Sequence, residues 1–503
     1  MTAGKDASFI KTTPFILIHA LVWWLMTIAA KTVLDGYGDM AEVYAWSQHW
    51  LLGSDKHPQF LPWMAKLWFL VAPQSVASFY LLSAVNLAVA LFGIRALARG
   101  LNFEDRHIAV ALALCALALP YLTLTSKLNM NSICLATWPW AAWAFVRATA
   151  PQASRRNLYA VLFGMLAAVS ILGKYYSIVL LIPLFASTFT PARRYLWLTT
   201  VPWLAFIAFV LILSPHLYWL VQHREAIAYA GEQGGSGGLK EAVYYIAKFA
   251  VSPFFYWPIP LILAALFLVT GSPLQRLAKL LKRPAGNSML AFLAIGPWLT
   301  TLGFAVAGLA VLSTPWAIPI GFAFTLYLVR NADQPALDVN GPKIVAAFRF
   351  IWPLMIIGGI VSGVMASTKG NVEQYTPWKE GANAIVETWK KENVQPLRWI
   401  AKGNDAASLA FLFPETIEAL PALPDRLPGY YPPRADWRNE AGVVVCSLAL
   451  PGKVKTACIT EAITWAAENG LKAESKVLTV HRSGFRFPKQ IDFELAVVYI
   501  RPE

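Results

Sequence analysis

Through residue 365 the sequence alternates long apolar runs with short polar interruptions, and beyond it the pattern changes. A helix that crosses a bilayer needs about 20 predominantly apolar residues. About eleven runs approach that length: 13–34, 76–97, 107–122, 130–146, 158–173, 175–189, 195–213, 242–269, 289–312, 316–329 and 346–365. The first run follows a polar, weakly basic start and is too long for the apolar core of a signal peptide, so it predicts a first membrane helix entered from the cytoplasm. From residue 366 apolar positions fall into mixed periods. Residues 380–391 and 457–469 predict helices, 442–448 a buried strand, and 476–481 and 491–500 alternating strands. The expected architecture is a polytopic α-helical membrane domain over residues 1–365, with a first external loop at 35–74, and a small α/β domain over 366–503.

Composition supports this class. The chain of 503 residues is 57% hydrophobic and 14% charged, with 21 tryptophans, whereas soluble domains average about 45–50% apolar and about 25% charged. The net charge of +14 does not point to nucleic acid, because no basic patch accompanies a nucleic-acid-binding motif. Its basic residues sit in short loops between apolar runs. Strict alternation of the runs puts Arg95, Arg99 and Arg106, then Arg147, Arg155 and Arg156, then Arg193 and Arg194, then Arg276, Lys279, Lys282 and Arg283, then Arg330 and Lys343 on one side. That side is cytoplasmic by the positive-inside rule, which places the tail outside the cytoplasm. Cys115 and Cys134 fall in apolar runs and read as packed thiols, while Cys446 and Cys458 share the tail. An oxidising compartment permits a disulfide between that second pair, and two free thiols are the alternative.

Charge changes the picture most in the first external loop. Asp39-Met-Ala-Glu42-Val-Tyr-Ala-Trp46 follows the first span, and Lys56-His57-Pro58 comes after it. On a helix, Asp39 and Glu42 share a face. The same side of the membrane also receives Lys127, Asn129, Asn131, Lys174, Tyr175, Tyr176, His216, Tyr218 and Arg224. Ionisable groups near hydrocarbon are costly and usually face a functional cavity. Lysines and tyrosines also anchor helix ends in the interface, and that reading stays open for Lys127, Tyr218 and Arg224. Lys174 is sharper, since it follows Gly173 between two apolar runs with almost no loop to occupy. An acid pair and several bases converging on one compartment suit an anionic substrate and carboxylate-assisted attack. The Gly/Ser-dense loop 229–238 is either a gate or a slack connection. There is no HExxH, no CxxC, no Walker loop and no GxGxxG between strand and helix, which argues against an ATP-driven transporter and a nucleotide-sugar enzyme.

The run Leu34-Asp35, Asp39-Met-Ala-Glu42, Trp46, Gly53-Ser-Asp-Lys56-His57-Pro58 and Trp63 resembles the first external loop of bacterial family 39 glycosyltransferases. These are GT-C fold enzymes that take a sugar from a polyprenyl phosphate. The resemblance continues through Asn131, Trp138-Pro139, Ala142-Trp143, Leu172-Gly-Lys174-Tyr175-Tyr176 and Pro215-His216-Leu-Tyr-Trp219. Lipopolysaccharide aminoarabinose and galacturonosyl transferases and protein O-mannosyltransferases are similar in plan. The resemblance implies Asp39 as catalytic base and Glu42 as the second acid. It implies a polyprenyl-phosphate-linked sugar as donor and a lipid or glycan acceptor. The residues that would then hold substrate are Lys56, His57, Lys127, Asn131, Lys174, Tyr175, Tyr176 and His216, with no cofactor required, though a divalent metal would also be compatible. Two positions depart from the family pattern: Gln59 replaces a second proline after His57-Pro58, and Ser313-Thr-Pro-Trp316-Ala-Ile-Pro319 carries no basic residue. The alternative from another class is a transporter or a flippase of lipid-linked sugars, whose marks would be paired repeats and midplane charges.

Overall fold

The computed structural model describes residues 11–36, 38–151, 154–224, 226, 238–284, 288–309, 312–452, 456–482, 484 and 486–503. In chain order the first helices are α1 (Thr12–Ala30), α2 (Asp39–Ser47), α3 (Phe60–Val71), α4 (Val76–Gly100), α5 (Asp105–Ala116) and α6 (Leu119–Leu122). Next come α7 (Ile133–Thr149), α8 (Arg156–Gly173), α9 (Ile178–Ser187), α10 (Val201–Gln222), α11 (Gly238–Tyr256) and α12 (Pro258–Phe267). They are followed by α13 (Pro273–Leu281), α14 (Ser288–Ala294), α15 (Gly296–Val306), α16 (Phe324–Arg330), α17 (Gln334–Ala346) and α18 (Phe348–Lys369). The tail adds α19 (Val372–Tyr375), α20 (Trp378–Lys390), β1 (Leu397–Ala401), α21 (Gly403–Leu412), β2 (Glu418–Leu420), β3 (Ala441–Ala449), α22 (Thr456–Glu468), β4 (Leu471–His481) and β5 (Asp492–Pro502).

Every apolar run of the sequence contains helix among the described residues, but not every run is one straight span. Among the described residues, five stretches are long and apolar enough to cross a membrane unbroken: α1, α4, α8, α10 and the continuous pair α17–α18. A sixth, α11 with α12, bends by 53° at Trp257-Pro258, where proline cannot continue the hydrogen-bond ladder. The remaining five of the eleven runs are shorter or interrupted. The run 107–122 divides into α5 and α6 before Pro120, and 289–312 divides into α14 and α15 before Gly296-Pro297. Hydropathy marks an apolar stretch but does not see such breaks. The loop helix α3 is itself apolar and shorter than a span.

The chain forms two compact units. The first contains the residues up to Trp24, Leu52–Phe60 and Ser83–Met355. Within it α8 packs against both α7 and α10, and α9 against α15.

The second unit contains Leu25–Leu51, Leu61–Leu82 and Ile356–Glu503. Its sheet has the order β2-β1-β3-β5-β4. The β1 strand pairs in parallel with β2 and β3, and β5 runs antiparallel to β3 and β4. Fully buried Trp399 and Trp465 meet edge to face, and Trp437 stacks on Trp465. A disulfide joins Cys446 on β3 to Cys458 on α22. The α20, β3, α22, β4 and β5 elements fall where the periodicity predicts them. The sequence reading misses β1, β2 and α21, because strands of five and three residues are too short to show an alternation. Also in this unit, α18 lies directly on the end of α1. A Cβ on Gly359 would come within 2.5 Å of the Met26 carbonyl oxygen, and one on Gly363 within 2.3 Å of that of Ala29. This is the small-xxx-small spacing that lets helix backbones approach where lipid offers no hydrophobic drive.

Candidate active site

In the second unit the acidic helix α2 is fixed at both ends. Asp35, itself buried, accepts hydrogen bonds from the Asp39 amide at 3.0 Å and the Met40 amide at 2.8 Å. The first amides of a helix have no partner inside it, and a carboxylate there also meets the positive end of the helix dipole. At the other end Lys66 donates to the Ser47 and Gln48 carbonyls at 3.2 and 2.7 Å. Asp39 and Glu42 are half-buried on the first turn, and Trp46 is buried.

The flank of α2 is held by the tail. The Gln48 amide donates to the Ile417 carbonyl and accepts from the Ala419 amide, both at 2.8 Å. Here a side chain completes the outer edge of β2, whose backbone groups would otherwise have no strand partner. Tyr44 meets Phe411 edge on at 5.0 Å between ring centroids. His49 Nε2 lies 2.7 Å from a Glu418 carboxylate oxygen. Glu418 also pairs with Arg434, which pairs in turn with Glu440. Burial, and then the Lys66 and Arg434 charges, hold the His49 pKa below its usual 6.5. The nearby Glu418 does not reverse this, since Arg434 already neutralises it. His49 is therefore neutral at pH 7 and its Nε2–H donates to Glu418. Sequence reasoning missed Asp35, Gln48, His49 and Lys66. Of these only Asp35 stood in the family-like run, without a role, and it lies three residues ahead of the Gly38 N-cap.

The other cluster lies in the first unit. Gly173 ends α8, Lys174 is extended, and Tyr175–Ser177 forms a single 3-10 turn before α9. Lys174 is buried and donates to the Asn131 side-chain oxygen. Its ammonium lies 5.7 Å from the Tyr176 ring centre and 5.4 Å from that of Trp316, near enough for cation–π attraction. The Thr301 hydroxyl donates to the Pro297 carbonyl at 2.8 Å, so the Tyr176 hydroxyl, 2.7 Å away, donates to Thr301. Trp138 stacks on Tyr176 and donates to Ser177 at 2.8 Å.

The same unit holds the Lys56-His57-Pro58 turn. The Ser54 amide donates to the His57 carbonyl at 3.0 Å, and Gly53 bridges to Pro58. His216 Nδ1 donates to the Leu52 carbonyl at 2.7 Å. That leaves Nε2 to accept from the Tyr175 hydroxyl at 2.8 Å. Trp219 lies so close to the turn that a Cβ on Gly53 would come within 2.2 Å of its ring. Lys56 and His57 are half-buried on this anchored turn, and Lys127 is half-buried just after the Leu124–Ser126 3-10 turn. The structure thus joins Lys174 to Asn131 and Tyr176, and Tyr175 to His216 and the base of the turn. Asp39 and Glu42 belong to the other unit. Thr301 carried no signal in the sequence, and Trp316 stood only in the stretch marked for its lack of a basic residue. Residues 229–237 of the glycine-rich loop lie outside the described residues, and Gly238 begins α11. No group of three or more His, Cys, Asp or Glu side chains is placed to hold a metal ion among the described residues.

Residues 56–219 match the profile of the family described as dolichyl-phosphate-mannose-protein mannosyltransferase. The fold is similar to that of ArnT from Cupriavidus metallidurans in its apo state, with 13% identity, 97% of each chain covered and a TM-score of 0.59. It is also similar to ArnT from the same organism bound to undecaprenyl phosphate, with 14% identity, 97% of each chain covered and a TM-score of 0.58. Comparison with curated proteins gives no match. The shared fold is the GT-C membrane fold, and the family match over residues 56–219 points to a glycosyltransferase. They favour the transferase reading of the sequence over the transporter.

Proposed function

We propose that the chain transfers a sugar from a polyprenyl-phosphate donor to a periplasmic lipid or glycan acceptor of the lipopolysaccharide class, with inversion at the anomeric carbon. Asp39 takes the proton of the acceptor hydroxyl as that oxygen attacks the anomeric carbon. The bond from that carbon to the phosphate oxygen breaks, and the polyprenyl phosphate leaves with the electron pair. Glu42 orients Asp39 or the acceptor. Lys56, His57 and Lys174 stabilise the charge growing on the phosphate, an electrostatic role that usually contributes most to such catalysis. Asn131, Tyr175, Tyr176 and His216 hold those cations in place, and Lys127 adds positive charge. The reading assigns charge neutralisation to side chains and requires no metal.

The observation that carries this reading is the buried Lys174 ammonium, gripped by one amide oxygen and two aromatic faces. An ammonium held against aromatic faces in this way suits the binding of a phosphate. The fold relative bound to undecaprenyl phosphate supports a lipid phosphate as that ligand, and the mannosyltransferase family match supports sugar transfer from a polyisoprenoid carrier. The test is steady-state transfer with purified protein and a panel of labelled polyprenyl-phosphate sugars. Lys174→Ala should raise the donor concentration needed for half-saturation and leave that of the acceptor nearly unchanged. Identical donor curves for variant and parent would remove Lys174 from the donor site.

A further inference from the structure

The first unit holds a second cationic cluster, at the opposite ends of α7 and α8 from Asn131 and Lys174. Between Asp105 and Glu225 the sequence contains no Asp or Glu, yet it carries Arg147, Arg155, Arg156, Arg193 and Arg194. Arg147 lies in the last turn of α7, Arg156 opens α8, and Arg193 precedes the 3-10 turn Arg194–Leu198 that leads into α10. The Arg147 guanidinium lies 4.8 Å from the Tyr159 ring centre, and that of Arg156 lies 5.5 Å from the Tyr195 ring centre. Tyr195 in turn donates to the Thr149 carbonyl at 3.1 Å. These contacts tie three chain segments together at one end of the packed helices α7, α8 and α10.

Several donors of this cluster are unsatisfied. Arg147 Nε, Arg156 Nε and Nη2, Arg193 Nη1 and Trp197 Nε1 are buried and find no acceptor among the described residues. A buried donor without an acceptor is costly, and three arginines with such donors and no acid in their own stretch of chain call for an anion from outside it.

Directly beside them is an apolar cavity of about 540 Å³, lined chiefly by Phe145, Phe163, Ile182, Phe185, Trp197 and Phe206. Trp197 belongs to both the cavity wall and the unsatisfied cluster. A hydrocarbon-lined cavity next to a cationic cluster complements a molecule with an acyl chain and a phosphate.

We propose that this site binds one anionic glycerophospholipid, its phosphate among Arg147, Arg156 and Arg193 and one acyl chain in the cavity. Basic pockets between membrane helices recognise anionic headgroups in this way. The proposal does not depend on the assignment of Lys174 or Asp39.

The test is native mass spectrometry of the full chain in neutral detergent, titrated with phosphatidylglycerol, phosphatidylcholine, undecaprenyl phosphate or inorganic phosphate. Phosphatidylglycerol should be retained, phosphatidylcholine should not, and inorganic phosphate should neither bind nor compete at equal concentration. Basic residues near a membrane surface contribute about 1 kcal/mol each toward anionic lipid, so Arg156→Gln with Arg193→Gln should weaken retention by roughly 30-fold. Should that double variant fail to fold, Ile182→Trp offers a second route, since it fills the cavity from a partly exposed position and should lower retention with the arginines intact. Equal retention of both lipids, or unchanged phosphatidylglycerol binding in either folded variant, overturns the proposal. So does preferential binding of undecaprenyl phosphate through these arginines, which would make the site part of donor binding.

Discussion

Asp39 and Glu42 differ by one turn of helix position, and chemistry at residue scale should separate them. Asp39 sits at the helix start, where its own amide is held by Asp35. Asp39→Asn keeps the size and removes the proton acceptor. A positioned general base contributes typically ~10²–10⁴-fold in rate. Transfer by Asp39→Asn should therefore fall by at least ~100-fold with donor binding retained, and Glu42→Gln should lose less. Near-normal turnover of Asp39→Asn in a quantitative transfer assay would end its assignment as base. His49 gives a second residue-scale expectation, in pH. Its folded pKa is depressed below the usual 6.5. The unfolded chain thus binds more protons than the folded one in the interval between the two values, and stability falls there as pH falls. The contribution is complete above about 6.5 and is lost progressively below it, down to the folded value. Thermal unfolding of the parent between pH 7.5 and pH 5.5 should show a larger loss than that of His49→Gln, and parallel curves would count against the assignment.

At the scale of the element, α2 is a nine-residue helix, too short to be stable alone in water. It owes its place to Asp35 at one end, Lys66 at the other and Gln48 on its flank. Removing a side-chain cap typically costs about 1 kcal/mol. Asp35→Ala should loosen the first turn and lower transfer while leaving the tail sheet folded. Gln48→Ala strips the partner from two backbone groups of β2 and should loosen the opposite end. Hydrogen exchange should rise at the Met40 amide in the first variant and at the Ala419 amide in the second. Unchanged exchange in both would show that α2 is held instead by its apolar contacts, in which Tyr44 meets Phe411 and, at 6.0 Å between ring centroids, Phe69.

At the scale of the whole molecule, the basic loops predict a cytoplasmic start and a periplasmic tail. Alkaline phosphatase fused after Lys369, the last residue of α18, should be active in a bacterial host. An inactive but well-expressed fusion would reverse the topology and remove the proposed acceptor from reach. The sequence by itself determined the class: apolar runs long enough for lipid, basic interruptions on one side, and an α/β tail legible in its period. It also marked Asp39, Glu42, Lys174 and the Lys56-His57-Pro58 turn, because a charge beside hydrocarbon stands out against its neighbours. Only the tertiary structure decided where runs break into separate helices, since one Pro or Gly leaves mean hydropathy almost unchanged. It alone set Trp316 beside Lys174, Gln48 on the edge of β2, and Arg147, Arg156 and Arg193 together beside an apolar cavity. Those contacts join residues far apart in the chain, and a pattern read along the chain records spacing within an element but not which elements meet.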